Sequence, residues 1–242
     1  MTVIPKLIRR LRAAGPFRNL DTAWIERIAA NSVFRRLDAG EYVWRRGDTA
    51  QSVIVVEAGL VAVQRNSLDG ESVLVALFGP GDTLCIVPAL QRIPFPADAV
   101  AVTEPVEILV IAAAPILGAV DREPKLAAVL NRALLEHTSS LRSKIEIISA
   151  GTVPRRVAAL LLYLAERFGR NAGDGVVQIG PAPTREQIGQ LVNARTETVI
   201  RVMSRWSKAN WIRGTAPALQ LLRTDMLQRI VDGPAGTRQP DS

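Results

Sequence analysis

Between Val33 and Ile111 turn chemistry cuts the chain into eight short β-prone runs, and this constrains the fold more than any other feature. The runs are Val33 to Leu37, Tyr42 to Arg45, Val53 to Glu57, Leu60 to Arg65, Ser72 to Phe78, Thr83 to Val87, Ala99 to Thr103 and Val106 to Ile111. Between them lie Asp38-Ala-Gly40, Gly47-Asp48, Ala58-Gly59, Ser67-Leu-Asp-Gly70, Gly79-Pro-Gly-Asp82 and Glu104-Pro105. Parallel neighbours need a crossover of about a dozen residues or more, which these breaks do not provide. Antiparallel pairing in a sandwich or barrel remains.

Helical spacing brackets this region. Met1 to Arg12 alternates Lys6, Arg9, Arg10 and Arg12 with Ile4, Leu7, Ile8 and Leu11, an amphipathic lead-in, and Leu20 to Ala30 carries Trp24, Ile25 and Ile28 on one side. Pro124 suits a first helical position and opens a helix running to about Ala150. Along it Leu130, Leu134, Leu141, Ile145 and Ile148 step by threes, fours and sevens, with His137 in the gap, as in a coiled-coil seam. Two readings stay open for that stripe: a helix packed on its own sheet, or a seam between two copies. His137 reads as a packed or hydrogen-bonded seam residue.

Gly151-Thr-Val-Pro154 breaks the helix and serves as a hinge. Arg156 to Phe168 follows with Val157, Leu160, Leu161 and Leu164 on one face, and Asn171-Ala-Gly-Asp-Gly175 reads as a loop. Thr184 with Gln187 forms a capping-box start. Ile188, Leu191 and Val192 make the buried stripe of a short helix, and Asn193-Ala194 supply a turn tolerant of left-handed backbone. A second helix opens near Arg195 or Thr196, burying Val199, Val202, Met203 and Trp206 and leaving Glu197, Ile200, Arg201, Ser204 and Lys208 outside. Two short helices of this kind form a helix-turn-helix, whose second member enters a DNA major groove. Arg201 has the fork to read a guanine edge, and Glu197 accepts from a cytosine amine. A plain helical hairpin with solvated charges is the competing reading of the pattern alone. Short strands at Val176 to Ile179, Trp211-Ile212 and Leu219 to Leu222, the last two joined across Arg213-Gly214, add a wing. Gly233 to Ser242 reads as a disordered tail.

Charge separates these readings. The chain of 242 residues carries +7, and +6 of that lies in residues 152 to 242. A basic excess confined to the helix-turn-helix part is the footprint of a phosphate-binding module. Cys85, the single cysteine, rules out an internal disulfide and any site built on several thiolates, an iron-sulfur cluster included. No signal-peptide core or membrane span is legible, so the expected location is the cytoplasm, away from the membrane. With one histidine and one cysteine far apart in sequence, no nucleophile-and-base pair is found, and the expectation is a protein that is not an enzyme.

The order of β-rich domain, long helix, hinge and winged helix-turn-helix resembles the Crp/Fnr family of bacterial transcription regulators. The likeness rests most on Thr184-Arg-Glu-Gln-Ile-Gly-Gln-Leu-Val and Glu197-Thr-Val-Ile-Arg-Val-Met-Ser-Arg, and on the Gly40-Glu, Gly47-Asp, Glu57-Ala-Gly and Gly79-Pro-Gly-Asp82 turns. It implies an α+β fold: a jelly-roll-like antiparallel β-roll over residues 1–123, a dimerisation helix over 124–151, a winged helix-turn-helix over 152–232 and a tail over 233–242. It also implies a homodimer on double-stranded DNA, with RNA polymerase as a further partner of an activator. The DNA surface is expected to include Arg185, Arg195, Thr196, Glu197, Thr198, Ile200, Arg201, Ser204, Arg205 and Lys208. The Thr-Glu-Thr-Val-Ile-Arg version is nearer the Fnr-like branch, which implies a TTGA-type half-site.

The effector side departs from the family's pattern. Where cyclic-AMP-binding members carry Gly-Glu and Arg-Ser pairs, this chain has Cys85-Ile86 and Pro96-Ala97. A cyclic phosphate needs a cation and oriented donors, and a ribose hydroxyl needs an acceptor. Leu84, Cys85, Ile86, Val87 and Leu90 supply neither, and Arg92 reads as a cation on a solvated loop. Cyclic AMP is therefore not expected as the effector. Gly81-Asp-Thr-Leu-Cys85 does resemble the segment carrying the cysteine ligand of the carbon-monoxide-sensing haem member, but Val87 stands at the histidine position. Cys85 reads first as a buried small hydrophobe. The competing function is a small-molecule or haem-based sensor whose helix-turn-helix serves protein interaction.

Overall fold

The computed structural model describes residues 3–13, 17, 19–66 and 72–233; the Ser67 to Gly70 turn and all of the tail beyond Gly233 lie outside them. Its contacts divide the chain into two units, residues 1–142 and 143–242.

The first unit begins with α1 (Val3–Ala13) and α2 (Thr22–Ala30), followed by β1 (Ser32–Leu37), β2 (Tyr42–Trp44), β3 (Ser52–Ala58), β4 (Val61–Asn66), β5 (Ser72–Phe78) and β6 (Thr83–Leu84). Then come α3 (Ile86–Gln91), β7 (Asp98–Ala101), β8 (Val106–Ala112), α4 (Ala113–Leu117) and α5 (Pro124–Ser149), which continues into the second unit. Two four-stranded sheets form, in the orders β1-β8-β3-β6 and β2-β7-β4-β5, with every pairing antiparallel. Each of the eight runs read from the sequence contains a strand.

β3 is the central element, with Val53, Ile54, Val55 and Val56 all buried. Because successive side chains alternate faces, Ile54 and Val56 enter the core between the sheets, with Val61, Phe78, Val106 and Ile108. Val53 and Val55 point the other way, to the helices. There they meet Leu7 and Leu11 of α1, Ile25 and Ile28 of α2, and Leu126, Val129, Leu130 and Ala133 of α5. Arg10 latches α1 down through an ion pair with Glu57, its guanidinium 3.8 Å from the Phe34 ring centre. Burying a large aliphatic side chain contributes on the order of 1.5–3 kcal/mol, so the lead-in helix is an integral part of this core.

Two features of this unit depart from the sequence reading. The run from Thr83 to Val87 is a strand only to Leu84, because Cys85 takes a left-handed backbone (φ 73°) that turns the chain into α3. Pro88 falls in the first turn of that helix, where a missing amide costs nothing. The second feature is α4, which had no sequence signature of its own.

The second unit comprises the end of α5, α6 (Val153–Phe168), β9 (Gly169–Asn171), β10 (Val177–Ile179), α7 (Arg185–Leu191), α8 (Thr196–Lys208), β11 (Ile212–Thr215), β12 (Ala218–Leu221) and α9 (Thr224–Asp232). Its sheet runs β11-β12-β10-β9, antiparallel throughout. Gly151, at φ 88°, and Pro154 in the first turn of α6 make the break read from the sequence. The wing turn falls at Ala216-Pro217, not at Arg213-Gly214: Gly214 is paired with Leu219 inside the ladder. β9 and α9 were not anticipated; both are short, and α9 packs against α6. Among the described residues no helix is long and apolar enough to cross a membrane.

Candidate functional site

The helix-turn-helix is built by local rules and pinned from behind. Thr184 accepts from the Gln187 amide at 3.2 Å while the Gln187 side chain accepts from the Thr184 amide at 2.7 Å, completing the capping box. Asn193 takes the left-handed turn (φ 50°), its carbonyl accepts from Arg156 of α6 at 3.2 Å, and the Ala194 amide donates to Gly189 at 2.9 Å. A β-carbon on Gly189 would sit 2.9 Å from the Ala194 carbonyl oxygen, so the hairpin closes only over glycine. Gly189→Ala is expected to cost roughly 1–3 kcal/mol through overpacking. A thermal melt reads this directly, and an unchanged melting temperature overturns the close-approach argument.

On α8, Val199, Val202, Met203 and Trp206 are buried, and Trp206 stacks near Trp211 with ring centres 6.4 Å apart. Opposite them Glu197, Arg201, Arg205 and Lys208 are exposed, as is Ile200, with Ser204 half-buried among them. Glu197, Arg201, Ser204 and Lys208 are spaced to fall along one stripe of the helix. Arg195 is exposed at the N-cap, while Thr196 and Thr198 are half-buried in the first turn. Arg185 is half-buried at the start of α7, and one of its terminal nitrogens has no protein partner. The side chains expected on the DNA surface thus belong to α8, its N-cap and the first residue of α7.

The first unit holds a cavity of about 440 Å³. Its walls are β4 and β5 (Val63, Arg65, Val75, Ala76, Phe78), the β6–α3 segment (Thr83 to Pro88, and Gln91), Trp44, the segment Ile93 to Ala97, and Ala133, His137 and Leu141 of α5. Trp44 and Phe95 stack with centres 4.5 Å apart, and the indole donates to the Ala97 carbonyl at 2.9 Å. The Asp82 carboxylate accepts from the Gly79 amide at 2.8 Å, closing the glycine-rich turn that precedes β6.

Leu84, Cys85, Ile86 and Val87 line this cavity as expected, but Leu90 does not: it is 39% exposed on the far side of α3. The lining cation is Arg65, an exposed residue, and not Arg92. His137, assigned to the α5 seam, faces the cavity, because the seam and cavity faces of the helix overlap at that position. Burial lowers its pKa below the ordinary value and raises the Cys85 thiol well above its own. Both groups are thereby held neutral near neutral pH. Among the described residues no group of three or more histidine, cysteine or acidic side chains is placed to hold a metal.

Of the seam residues, Leu130 is a correction: it is 5% exposed in its own chain, packed among α1, α2 and α4. Leu134 is half-buried against the same core, whereas Leu141, Ile145 and Ile148 are 41%, 61% and 40% exposed. Leu135, not singled out from the sequence, is 71% exposed. The reading of a helix packed on its own sheet thus holds for the first part of α5. Toward its start it packs on its own unit, and farther on it presents an apolar stripe.

Comparison with known proteins gives two family matches, a cyclic nucleotide-binding domain over residues 34–123 and a Crp-like helix-turn-helix domain over residues 155–230. The chain is 26% identical over 219 residues to the CRP-like cAMP-activated global transcriptional regulator of Mycobacterium tuberculosis, covering 90% of this chain and 97% of that one. To the transcriptional activator protein Anr of Pseudomonas aeruginosa it is 25% identical over 199 residues, covering 82% and 80%. A CRP-family regulator from Thermus thermophilus has the same fold, with a TM-score of 0.68 at 20% identity over 82% of this chain and 97% of that one.

Proposed function

The chain belongs to the Crp/Fnr family of transcription regulators, and from that premise we propose that it works in the cytoplasm as a homodimer reading a palindromic operator through α8. Residues 1–123 form the sensory domain, 124–151 the dimerisation helix and 152–232 the DNA-binding domain. The observation that carries this reading is the stripe of exposed Glu197, Arg201 and Lys208, with half-buried Ser204 between them, on a helix whose opposite face is anchored in its own unit. Arg201 pairs with a guanine and Glu197 with a cytosine of a TTGA-type half-site, while Arg185, Arg195, Arg205 and Lys208 neutralise phosphates. RNA polymerase is the further partner where binding activates. The role is regulatory, with no catalysis.

The test is titration of a palindromic TTGA-type duplex at several salt concentrations. A dimer gripping phosphates on both half-sites gives a steep salt slope and a clear preference over scrambled DNA. A flat slope with no preference overturns the reading in favour of a sensor whose helix-turn-helix binds protein.

The effector is a molecule other than a cyclic nucleotide, or none. Supporting this, the cavity wall carries Ile86, Pro96 and Ala97 where ribose and phosphate partners are needed, and its cation Arg65 is solvent-exposed. Cyclic AMP and cyclic GMP at millimolar concentration are expected to leave the melting temperature unchanged. Binding with a Kd one hundredth of the ligand concentration adds about 2.7 kcal/mol, and each kcal/mol moves a chain of this size by about 2–4 °C. A shift of that order, lost in Arg65→Ala, identifies Arg65 as a phosphate partner and overturns the exclusion.

A further inference from the structure

The cavity of the first unit is apolar inside and carries its charge at the edge. Phe78, Leu84, Ile86, Phe95 and Ala97 are buried parts of its wall, while Arg65, Gln91 and Ile93 are exposed parts and mark the mouth. Successive residues of a strand alternate faces, so Val61, Val63 and Arg65 form one column of β4. Val61 and Val63 lie in the core between the sheets, and Arg65 continues that column to where the core opens. It is therefore set apart from the charges on the outer face of the sheet. The described wall holds no acidic side chain to pair with it, and Cys85 and His137 carry no charge near neutral pH. Among the described wall residues Arg65 is the sole charge.

Such a space suits a molecule with one end of each kind. An apolar body gains by leaving water in proportion to its area. An anionic head can stay hydrated at the mouth and still meet the guanidinium, whose planar fork matches a carboxylate. We infer that the cavity binds an amphipathic monocarboxylate with a hydrocarbon body of medium length, the body beside Trp44, Phe78 and Phe95 and the carboxylate at Arg65. A cyclic nucleotide does not meet these terms, because it would bring ribose hydroxyls and a phosphate against Ile86, Pro96 and Ala97. The volume of about 440 Å³ lies within the range of small-ligand sites, roughly 300–1,000 Å³. The wall also takes in Ala133, His137 and Leu141, one per turn of α5, so a filled cavity bears on the helix that carries the proposed dimer stripe. This inference rests on the effector reading of the same cavity and gives that effector a chemical class.

The test titrates octanoate, decanoate and decanamide into the intact protein by calorimetry, in wild type, Arg65→Glu and Arg65→Lys. Decanoate is expected to bind below millimolar concentration and about fifteenfold more tightly than octanoate, since each buried methylene is worth about a factor of four. Arg65→Glu turns attraction at the rim into repulsion and should weaken decanoate about tenfold. Decanamide should be unaffected by it, and Arg65→Lys should keep most of the decanoate affinity. Arg65 is exposed, so neither substitution should move the melting temperature of the free protein. The inference is overturned if decanoate does not bind at millimolar concentration, if octanoate binds as tightly, or if Arg65→Glu binds decanoate as wild type does. Equal losses of decanoate and decanamide in Arg65→Glu also overturn it, because the residue then shapes the cavity and does not pair the head. Operator affinity with and without decanoate separates this claim from the effector reading. Arg65-dependent binding that leaves operator affinity unchanged removes the effector role and keeps the site.

Discussion

Arg201→Ala is expected to lower the preference for the cognate palindrome over scrambled DNA by about thirtyfold or more, while leaving most of the salt-sensitive, non-specific binding in place. A bidentate contact to a guanine edge is worth roughly 1–3 kcal/mol of discrimination. A symmetric dimer makes the contact twice, so the loss is about 2–6 kcal/mol per operator. With Arg201 on a base and not a phosphate, as proposed, the salt slope should hardly move; Lys208→Ala should do the reverse, weakening all sequences alike and lowering the slope. Glu197→Ala should relax selectivity at the same G·C pair, from its cytosine side. Arg201 is exposed and anchors nothing in its own unit, so its removal should leave the melting temperature unaltered. Competition titrations against scrambled duplex settle the point, and a variant as selective as wild type removes α8 from the groove.

A second large effect is expected when Leu141 and Ile145 are both replaced by aspartate: the dimer dissociates and operator binding is lost. The two side chains lie one turn apart on α5 and are 41% and 61% exposed in the single chain, so folding does not depend on them. In a dimer four such side chains leave water, and each contributes on the order of 1 kcal/mol beyond what the monomer already covers. Carboxylates in their place must also be desolvated. The dimer Kd should then rise at least about a thousandfold, since 1.4 kcal/mol is a factor of ten. Sedimentation should show monomers with an unchanged circular dichroism spectrum. If the double variant still sediments as a dimer, the interface lies elsewhere than this stripe. Leu130→Asp is the contrasting case. That residue is buried in its own core, so the substitution should unfold the first unit and says nothing about dimerisation.

The contrast between Leu130 and Ile145 shows where sequence reasoning stops. Both sit on the same heptad-like stripe, and periodicity states only that they share a helix face. What that face meets depends on how far the β-roll reaches along α5. The same holds for His137, whose place at four residues before Leu141 gave no sign that a cavity wall runs through it. Arg92 was the one cation the sequence offered on the effector side, and only the strand pairing that sets β4 beside the cavity puts Arg65 there in its place.

The residues by themselves determined what depends on near neighbours. Eight strands follow from alternating β-prone runs and glycine turns, the entry to α7 from the Thr184–Gln187 box, the break before α6 from Gly151 and Pro154, and the two stripes of α8 from a 3.6-residue period. Each rests on interactions within a few positions of the chain, so each is written in the local sequence. Tertiary structure alone decided which face of α5 is core and which is open, and that Arg65, Cys85 and His137 border one space. Those outcomes depend on groups dozens of residues apart being pressed together. No local pattern encodes that meeting.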